Sequence, residues 1–249
     1  MVKKTIDWTA NRLKNAVVIL SGGLDSTTLL YDIFKTGFNV KALSFDYGQK
    51  HKRELGLAKQ TCDKLGIEHK ILDLSVLNEI APSALTRKDW KMPEGHYAQN
   101  NMSETVVPNR NMVLLSLATS YAIANNCSRL FYGAHGGDHH IYADCRPNFV
   151  WAMRQAIKLC DEKDVSLDAP YIDMNKITIL KKGLKLGVDY SLTNTCYNPQ
   201  QDLACGNCGA CNERVEAFIK NNVIDPIQYV KPWKEIIKNT KQVLEDKKE

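Results

Sequence analysis

Short apolar runs alternate with longer stretches of helical spacing through the first third of the chain. Ala16–Leu20 (AVVIL) is apolar without a break, the pattern of a strand buried on both faces. A small-residue loop follows, then Ser26–Lys35 with helical spacing, ended by Gly37. Asn39–Phe45 reads as a second strand. Lys50–Leu65 sets Leu55, Ala58, Cys62 and Leu65 at helical intervals and stops at Gly66. Ile67–Leu72 alternates as a third strand. This order predicts βαβ units: an α/β fold with a doubly wound, mostly parallel, Rossmann-like sheet and helices on both faces.

Further along, Asp73–Pro108 carries Pro82, Pro93 and Gly95 with mixed polarity, and is open to two readings, a mobile loop or lid, or a set of short helices. Asn111–Asn125 is apolar on most sides and predicts a buried helix. Leu130–Ala134 predicts a strand. Phe149–Leu159 and Ile177–Leu186 predict helices. A cysteine-bearing loop spans Asn194–Cys211, with a helix expected over Asn212–Lys220 and a charged, fraying helix after Pro232. No internal repeat is present. The expected division is an α/β domain over 1–190 and a small C-terminal metal-binding helical subdomain over 191–249.

Composition narrows the classes. Apolar residues make up 44% and charged residues 24% of the 249 positions, ordinary values that argue against a disordered chain. Met112–Ala124, the longest near-apolar stretch, is broken by Ser116, Thr119 and Ser120 and falls short of the roughly 20 residues of a membrane span. Lys3, Lys4, Asp7 and Arg12 stand where a signal peptide would be apolar, so a cytoplasmic protein is expected. The net charge of +5 comes partly from Lys176–Lys185 and the tail. Solvated helix faces explain it, and a surface for phosphate-rich ligands or nucleic acid is the alternative.

The segment Ser21-Gly22-Gly23-Leu24-Asp25-Ser26-Thr27-Thr28 joins a buried strand to a helix. Main-chain N–H groups at such a junction converge on one spot, and the helix dipole adds positive potential there. Glycines let an anion approach the main chain, while Ser21, Ser26 and Thr27 add hydroxyls. Leu20–Thr28 are thus the candidate nucleotide-binding residues. The loop lacks the Gly-Lys-Ser/Thr ending of a Walker A motif. Its S-G-G-x-D-S pattern resembles the phosphate loop of the N-type ATP pyrophosphatases, whose fold is the adenine nucleotide alpha hydrolase type. That resemblance implies cleavage between the α- and β-phosphates, and a role for Asp25 in placing Mg²⁺.

Of eight cysteines, four cluster as C-x8-C-x2-C-x2-C at Cys196, Cys205, Cys208 and Cys211. Four thiolates and no open position favour a structural Zn²⁺, with an iron–sulfur cluster as the rival. One metal site in a reducing compartment explains the cysteines better than disulfides.

Six stretches then combine: LSGGLDSTTLL from Leu20, SFDYGQKH from Ser44, VPNRNM from Val107, DCRPNF from Asp144, NK at Asn175–Lys176, and TCYN with CGNCGACNER ending at Arg214. Their order and spacing resemble the 7-cyano-7-deazaguanine synthase family over about 16–218. The resemblance implies an ATP-dependent ligase acting on 7-carboxy-7-deazaguanine and ammonia, through an adenylate and an amide, to the nitrile. It also implies ATP, Mg²⁺ and Zn²⁺ as cofactors, a homodimer, and no membrane or direct nucleic-acid partner.

By position, it implies catalytic roles for Asp25, Ser26, Arg110, Arg146 and Lys176, a nucleotide contact at Asp46, and substrate contacts at Asp138, Asp144 and Arg146. Gln49 and His51 also fall near the nucleotide. Each residue has an ordinary alternative as a helix cap, ion pair or solvated side chain. Cys145 is expected to be a packed thiol. Gly136–Tyr142, with His139 and His140, departs from the family's usual loop, which puts substrate detail in doubt. A repurposed relative in DNA modification or defence, or another ATP pyrophosphatase such as a tRNA-modifying enzyme, remains the competing reading.

Overall fold

A computed structural model describes residues 15–50, 52–87, 89–97 and 100–245. His51 and the charged start at Lys3–Arg12 lie outside the described residues. Five parallel strands form one sheet: β1 (Asn15–Ile19), β2 (Asn39–Asp46), β3 (Glu68–Asp73), β4 (Arg129–Phe131) and β5 (Ser166–Asp168). Their order is β3-β2-β1-β4-β5. β1 is central, with Val17 opposite Lys41 on one side and Leu130 on the other. The chain leaves β1 first toward β2 and later returns to β4. The strand order therefore reverses beside β1, where open α/β sheets place ligands beyond the carboxyl ends of the strands.

Alternation along β1 builds two cores. Ala16 and Val18 face a cluster with Leu29, Leu30 and Ile33 of α1 (Leu24–Lys35), Ala58 and Cys62 of α2 (Arg53–Leu65), and Ile179 and Leu180. Val17 faces the other side with Leu43, Leu115 and Ala118, and with Val150, Met153 and Ile157. Each fully buried Leu or Ile contributes about 1.5–3 kcal/mol, so these faces fix the side on which each helix packs. The expected doubly wound parallel sheet is what forms.

The described part of segment 73–108 contains two short helices, α3 (Val76–Ile80) and a 3₁₀ turn at Asn100–Thr105. The Gly95 amide donates to the Asn207 carbonyl at 3.3 Å and Asn212 Nδ2 donates to the Gly95 carbonyl at 2.7 Å. These bonds tie the segment to the cysteine loop. Next come α4 (Arg110–Ala124), α5 (Pro147–Lys158), α6 (Lys176–Leu186), α7 (Gly209–Lys220) and α8 (Trp233–Glu245). One strand was not foreseen and one helix boundary shifts. β5 has only three residues, too few for periodicity to reveal. α7 begins at Gly209, so Cys211 lies inside the helix rather than before it. Ala217 and Phe218 of α7 sit in the β1–α1 core.

Candidate active site

Beyond Ile19 the chain turns through Leu20–Gly23 into α1. Gly22 has φ +87°, and a Cβ there would lie 2.2 Å from the Glu54 carbonyl oxygen in the first turn of α2. The missing side chain makes room for α2, not for an anion. On the other side, the Gly22 carbonyl accepts from the Asn194 amide at 2.9 Å. Gly23 is the residue before α1, with an ordinary φ of −78°. Leu24, Asp25 and Ser26 are then the first three helical residues, whose amides find no carbonyl within the helix. The Thr27 amide is already bonded to the Gly23 carbonyl at 3.1 Å. Among the described residues, the helix-start amides of Leu24, Asp25 and Ser26 therefore have no main-chain partner.

Ser21 Oγ and Ser26 Oγ lie 2.9 Å apart and close the turn. Side chains that do not reach the cleft are Leu24, fully buried, and Thr28, whose hydroxyl bonds the Leu24 carbonyl and the Tyr190 hydroxyl, each at 2.8 Å. The Thr27 hydroxyl is buried and has no partner among the described residues.

Asp25 is the hub of a charged cluster. Its Oδ2 lies 3.3 Å from Lys176 Nζ and 3.6 Å from His135 Nε2. Its Oδ1 is buried with no hydrogen-bond partner among the described residues. A buried carboxylate oxygen with no partner fits a ligand to a divalent cation. Asn175 caps α6 through the Thr178 amide at 2.9 Å, which makes Lys176 the first helical residue. A cation is disfavoured at that end of a helix, and this one is only 6% exposed. What holds it is Asp25 together with Glu213, which forms a close ion pair with it from α7. Burial works against the ammonium charge, but Asp25 and Glu213 outweigh it and raise its pKa well above the usual lysine value.

His135 Nδ1 accepts from the Gly137 amide at 3.1 Å, which leaves Nε2–H directed at Asp25 and at Asp138, 3.4 Å away. Burial opposes a charge on this ring. Asp138 and Asp25 outweigh it and push the pKa up. Glu213 and His135 are functional candidates that the sequence reading missed. The signals were an acid two residues beyond the last cysteine and a histidine between β4 and a Gly-Gly pair.

The cleft in front of this cluster runs from the loop to an aromatic wall of Tyr47, Tyr97, Tyr132, Tyr142 and Tyr197. Arg110 opens α4 among them, its guanidinium 5.4 Å from the Tyr47 ring centroid and 6.0 Å from that of Tyr142. No carboxylate among the described residues forms an ion pair with it. Asp138 and Glu54 also line the cleft. Cys145 lies there as well, donated to by Asn111 Nδ2 at 3.4 Å, and burial pushes its thiol well above the usual range, against a nucleophilic role.

Three expected contacts are placed elsewhere. Asp46 pairs with Lys52 at 2.6 Å and accepts from the Gly48 amide, so it shapes the turn after β2. Asp144 accepts from the Asn111 amide at 3.1 Å, holding the start of α4. Arg146 is exposed and donates to the His139 carbonyl at 2.9 Å. Asp46 ends β2, Asp144 and Arg146 lie well beyond β4, and none of the three lines the cleft.

Behind the cleft, the Cys196, Cys205, Cys208 and Cys211 sulfurs lie within 4.8 Å of one another, all buried. The Cys205 and Asn198 amides donate to Cys196 Sγ at 3.3 Å, and the Cys208 amide donates to Cys205 Sγ at 3.4 Å. Four buried sulfurs supported by N–H donors fit one tetrahedral metal ion. A Cβ on Gly206, whose φ is +76°, would meet Ile236 Cδ1 at 2.3 Å, so α8 closes directly over this loop. Fully buried Arg214 links the two sites. It pairs with Asp225 through two bonds of 2.6 and 2.9 Å and donates to the Thr193 and Thr195 hydroxyls on either side of Asn194.

Comparison with known proteins agrees with this architecture. The family model described as "Queuosine biosynthesis protein QueC" matches residues 15–222. A protein of Caldicellulosiruptor saccharolyticus named 7-cyano-7-deazaguanine synthase is 59% identical over 214 residues, covering 86% of this chain and 95% of its own. Another of that name, from Methanoregula boonei, is 58% identical over 86% of this chain and 98% of its own. A third, from Pseudoalteromonas atlantica, is 49% identical over 87% of this chain and 99% of its own. No helix among the described residues is long and apolar enough to cross a membrane. With the phosphate-loop geometry, the four-cysteine cluster and these matches together, the chain belongs to the QueC family of queuosine biosynthesis proteins.

Proposed function

We propose that this chain is an ATP-dependent ligase that converts 7-carboxy-7-deazaguanine and ammonia to 7-cyano-7-deazaguanine. The observation that carries the reading is a single cleft. It joins three free helix-start amides and the Asp25–Lys176–Glu213 cluster to an unpaired Arg110 among flat aromatic rings.

A carboxylate resists attack because its oxygen would have to leave as oxide. Transfer of AMP to that oxygen supplies a stable leaving group. In this reading the Leu24, Asp25 and Ser26 amides and Lys176 hold the phosphates, where negative charge builds up as the bond between the α- and β-phosphates breaks. Asp25 Oδ1 is the ligand we assign to Mg²⁺, which when bound neutralises phosphate charge. Arg110 presents a planar fork for the substrate carboxylate, and the tyrosine rings stack on the flat base. Asp138 accepts hydrogen bonds from the ring N–H and amino groups. Ammonia then gives the amide, whose oxygen is activated by a second ATP before its loss leaves the nitrile. The four cysteines hold a structural Zn²⁺. Asp46, Asp144 and Arg146 act through the loops they shape. The homodimer and the cytoplasmic location rest on the family resemblance and the sequence.

Incubation of the protein with ATP, Mg²⁺, ammonium and the deazaguanine carboxylate should yield amide and then nitrile by mass spectrometry, with AMP and pyrophosphate. Formation of ADP without AMP would remove the ligase reading.

A further inference from the structure

Glu54 is a cleft-lining carboxylate that the scheme above leaves without work. It sits in the first turn of α2, and its main chain is pressed against Gly22 of the phosphate loop. Among the described residues its side chain has one hydrogen-bond partner, Gln49 Nε2 at 3.3 Å, and no ion pair. Gln49 is itself pinned: its Oε1 accepts from the Tyr47 amide at 2.9 Å and its Nε2 also reaches the Phe45 carbonyl. A buried amide thus aims a carboxylate into the cavity, with its remaining acceptor positions open to whatever occupies the cleft. The charged or titratable groups facing it are Arg110 from α4 and Tyr47 from the turn after β2. The neighbouring cations on its own element are engaged elsewhere, Lys52 with Asp46 and Arg53 with the Asp202 carbonyl.

We propose that Glu54 binds ammonium in the cleft and takes its proton, so that ammonia is released beside the acyl-adenylate. The inference rests on the ligase reading. Ammonium has no lone pair and cannot attack, yet it is the dominant form of ammonia near neutral pH. A small cation in this cleft needs an unpaired anion within the cavity wall. Among the cleft carboxylates, Asp25, Asp138 and Glu213 are committed to Lys176 and His135. Glu54 is not. Burial pushes its carboxyl up to about 7, against the pull of Gln49 and Arg110, which makes it an acceptor matched to neutral pH.

One N–H bond of ammonium breaks and its proton forms an O–H bond on Glu54. The freed nitrogen lone pair forms the C–N bond to the acyl carbon, and the C–O bond to AMP breaks with its electron pair leaving on the phosphate oxygen. The nitrogen loses a second proton to water, and Glu54 returns its own proton to solvent before the next turnover. No oxidant or reductant is involved.

The test uses the full chain with its metal in place and compares E54Q with the unaltered protein in three assays. Carboxylate-dependent exchange of pyrophosphate into ATP reports adenylation and needs no ammonia. It should be unchanged in E54Q. Amide formation from ammonium at pH 7 should fall about 10²–10⁴-fold and then rise about tenfold per pH unit, tracking free ammonia, whereas the unaltered protein should show a shallower profile. Hydroxylamine, uncharged at neutral pH, should give hydroxamate at near-equal rates with both proteins. Equal loss with both nucleophiles, loss of exchange along with amidation, or an unchanged ratio of amidation to exchange would each overturn the assignment. Absence of exchange in the unaltered protein would instead sink the ligase reading itself.

Discussion

Lys176 and Glu213 meet as a buried ion pair between the first turn of α6 and the helix that carries Cys211. Neither side chain is at home where it stands: the lysine opposes the dipole of its own helix, and the glutamate is buried. Each makes the other tenable, and Asp25 completes the set. Lys176→Met should therefore abolish pyrophosphate exchange and cost about 3–5 kcal/mol, because it strands two acids. The double change Lys176→Met with Glu213→Leu should recover most of that stability and none of the activity. Urea unfolding monitored by circular dichroism decides it. A double variant no more stable than the single one would show that the pair is not the stabilising unit.

Gly22 and Gly23 should respond differently to alanine. At Gly22 the added carbon meets the Glu54 carbonyl and requires a left-handed backbone, which alone costs an L-residue about 1–2 kcal/mol. At Gly23 the nearest atoms are 3.3 and 3.6 Å away and φ is ordinary. Gly22→Ala should lower the melting temperature and displace α2, while Gly23→Ala should leave folding intact and act on nucleotide affinity. Calorimetry of both variants with and without ATP separates the cases, and equal melting shifts would contradict this account.

Metal removal should be felt at the phosphate loop. Cys208 and Cys211 bracket the start of α7, which bears Glu213 and Arg214, and Arg214 holds the threonines beside Asn194. Stripping one equivalent of Zn²⁺, or Cys208→Ser, should cost on the order of 5 kcal/mol, or roughly 10–20 °C in melting temperature for a chain of this size. Exchange activity should be lost at temperatures where the fold survives. Metal analysis reading well below one ion per chain in fully active protein would refute the link.

The pH dependence of stability gives a check on Glu54. Its folded pKa of about 7 lies above the ordinary 4.5. The folded state binds the proton more tightly than the unfolded chain. The contribution is therefore fully present below about pH 4.5 and lost as pH rises through 7. Glu54→Gln should match the unaltered protein near pH 4.5 and exceed it near pH 8, by no more than about 3 kcal/mol. Melting curves at the two pH values provide the comparison. An equal difference at both would mean that the carboxyl is not held protonated by burial.

Arg110→Lys should raise the KM for the deazaguanine acid about 10–100-fold with little change in the KM for ATP, since a point charge replaces a planar fork. Steady-state kinetics with each substrate varied in turn would expose a wrong assignment as a larger effect on ATP.

What could be read from the chain before any coordinates was what lies close together in it. The phosphate loop is one continuous segment between a buried strand and a helix, and the four cysteines fall within one short stretch. Their chemistry follows from local spacing. Glu213, His135 and Glu54 reach the same cleft only because α7, β4 and α2 pack around β1, and spacing within one segment carries no trace of that. Asp46, Asp144 and Arg146 show the opposite limit. Position at or beyond a strand's end was legible, but the direction of a side chain in a turn depends on the partner it finds, here Lys52, the Asn111 amide and the His139 carbonyl. β5 was missed because three residues carry too little periodicity to announce a strand.

All five strands run the same way, so every loop at their carboxyl ends crowds one rim while the returning turns at 36–38, 125–128 and 159–165 occupy the other. The molecule is thereby two-sided for an engineer. Dyes, affinity handles or grafted peptides attached near Leu159, 86% exposed on the quiet rim, should leave catalysis untouched. The same cargo on the opposite edge would stand in the doorway.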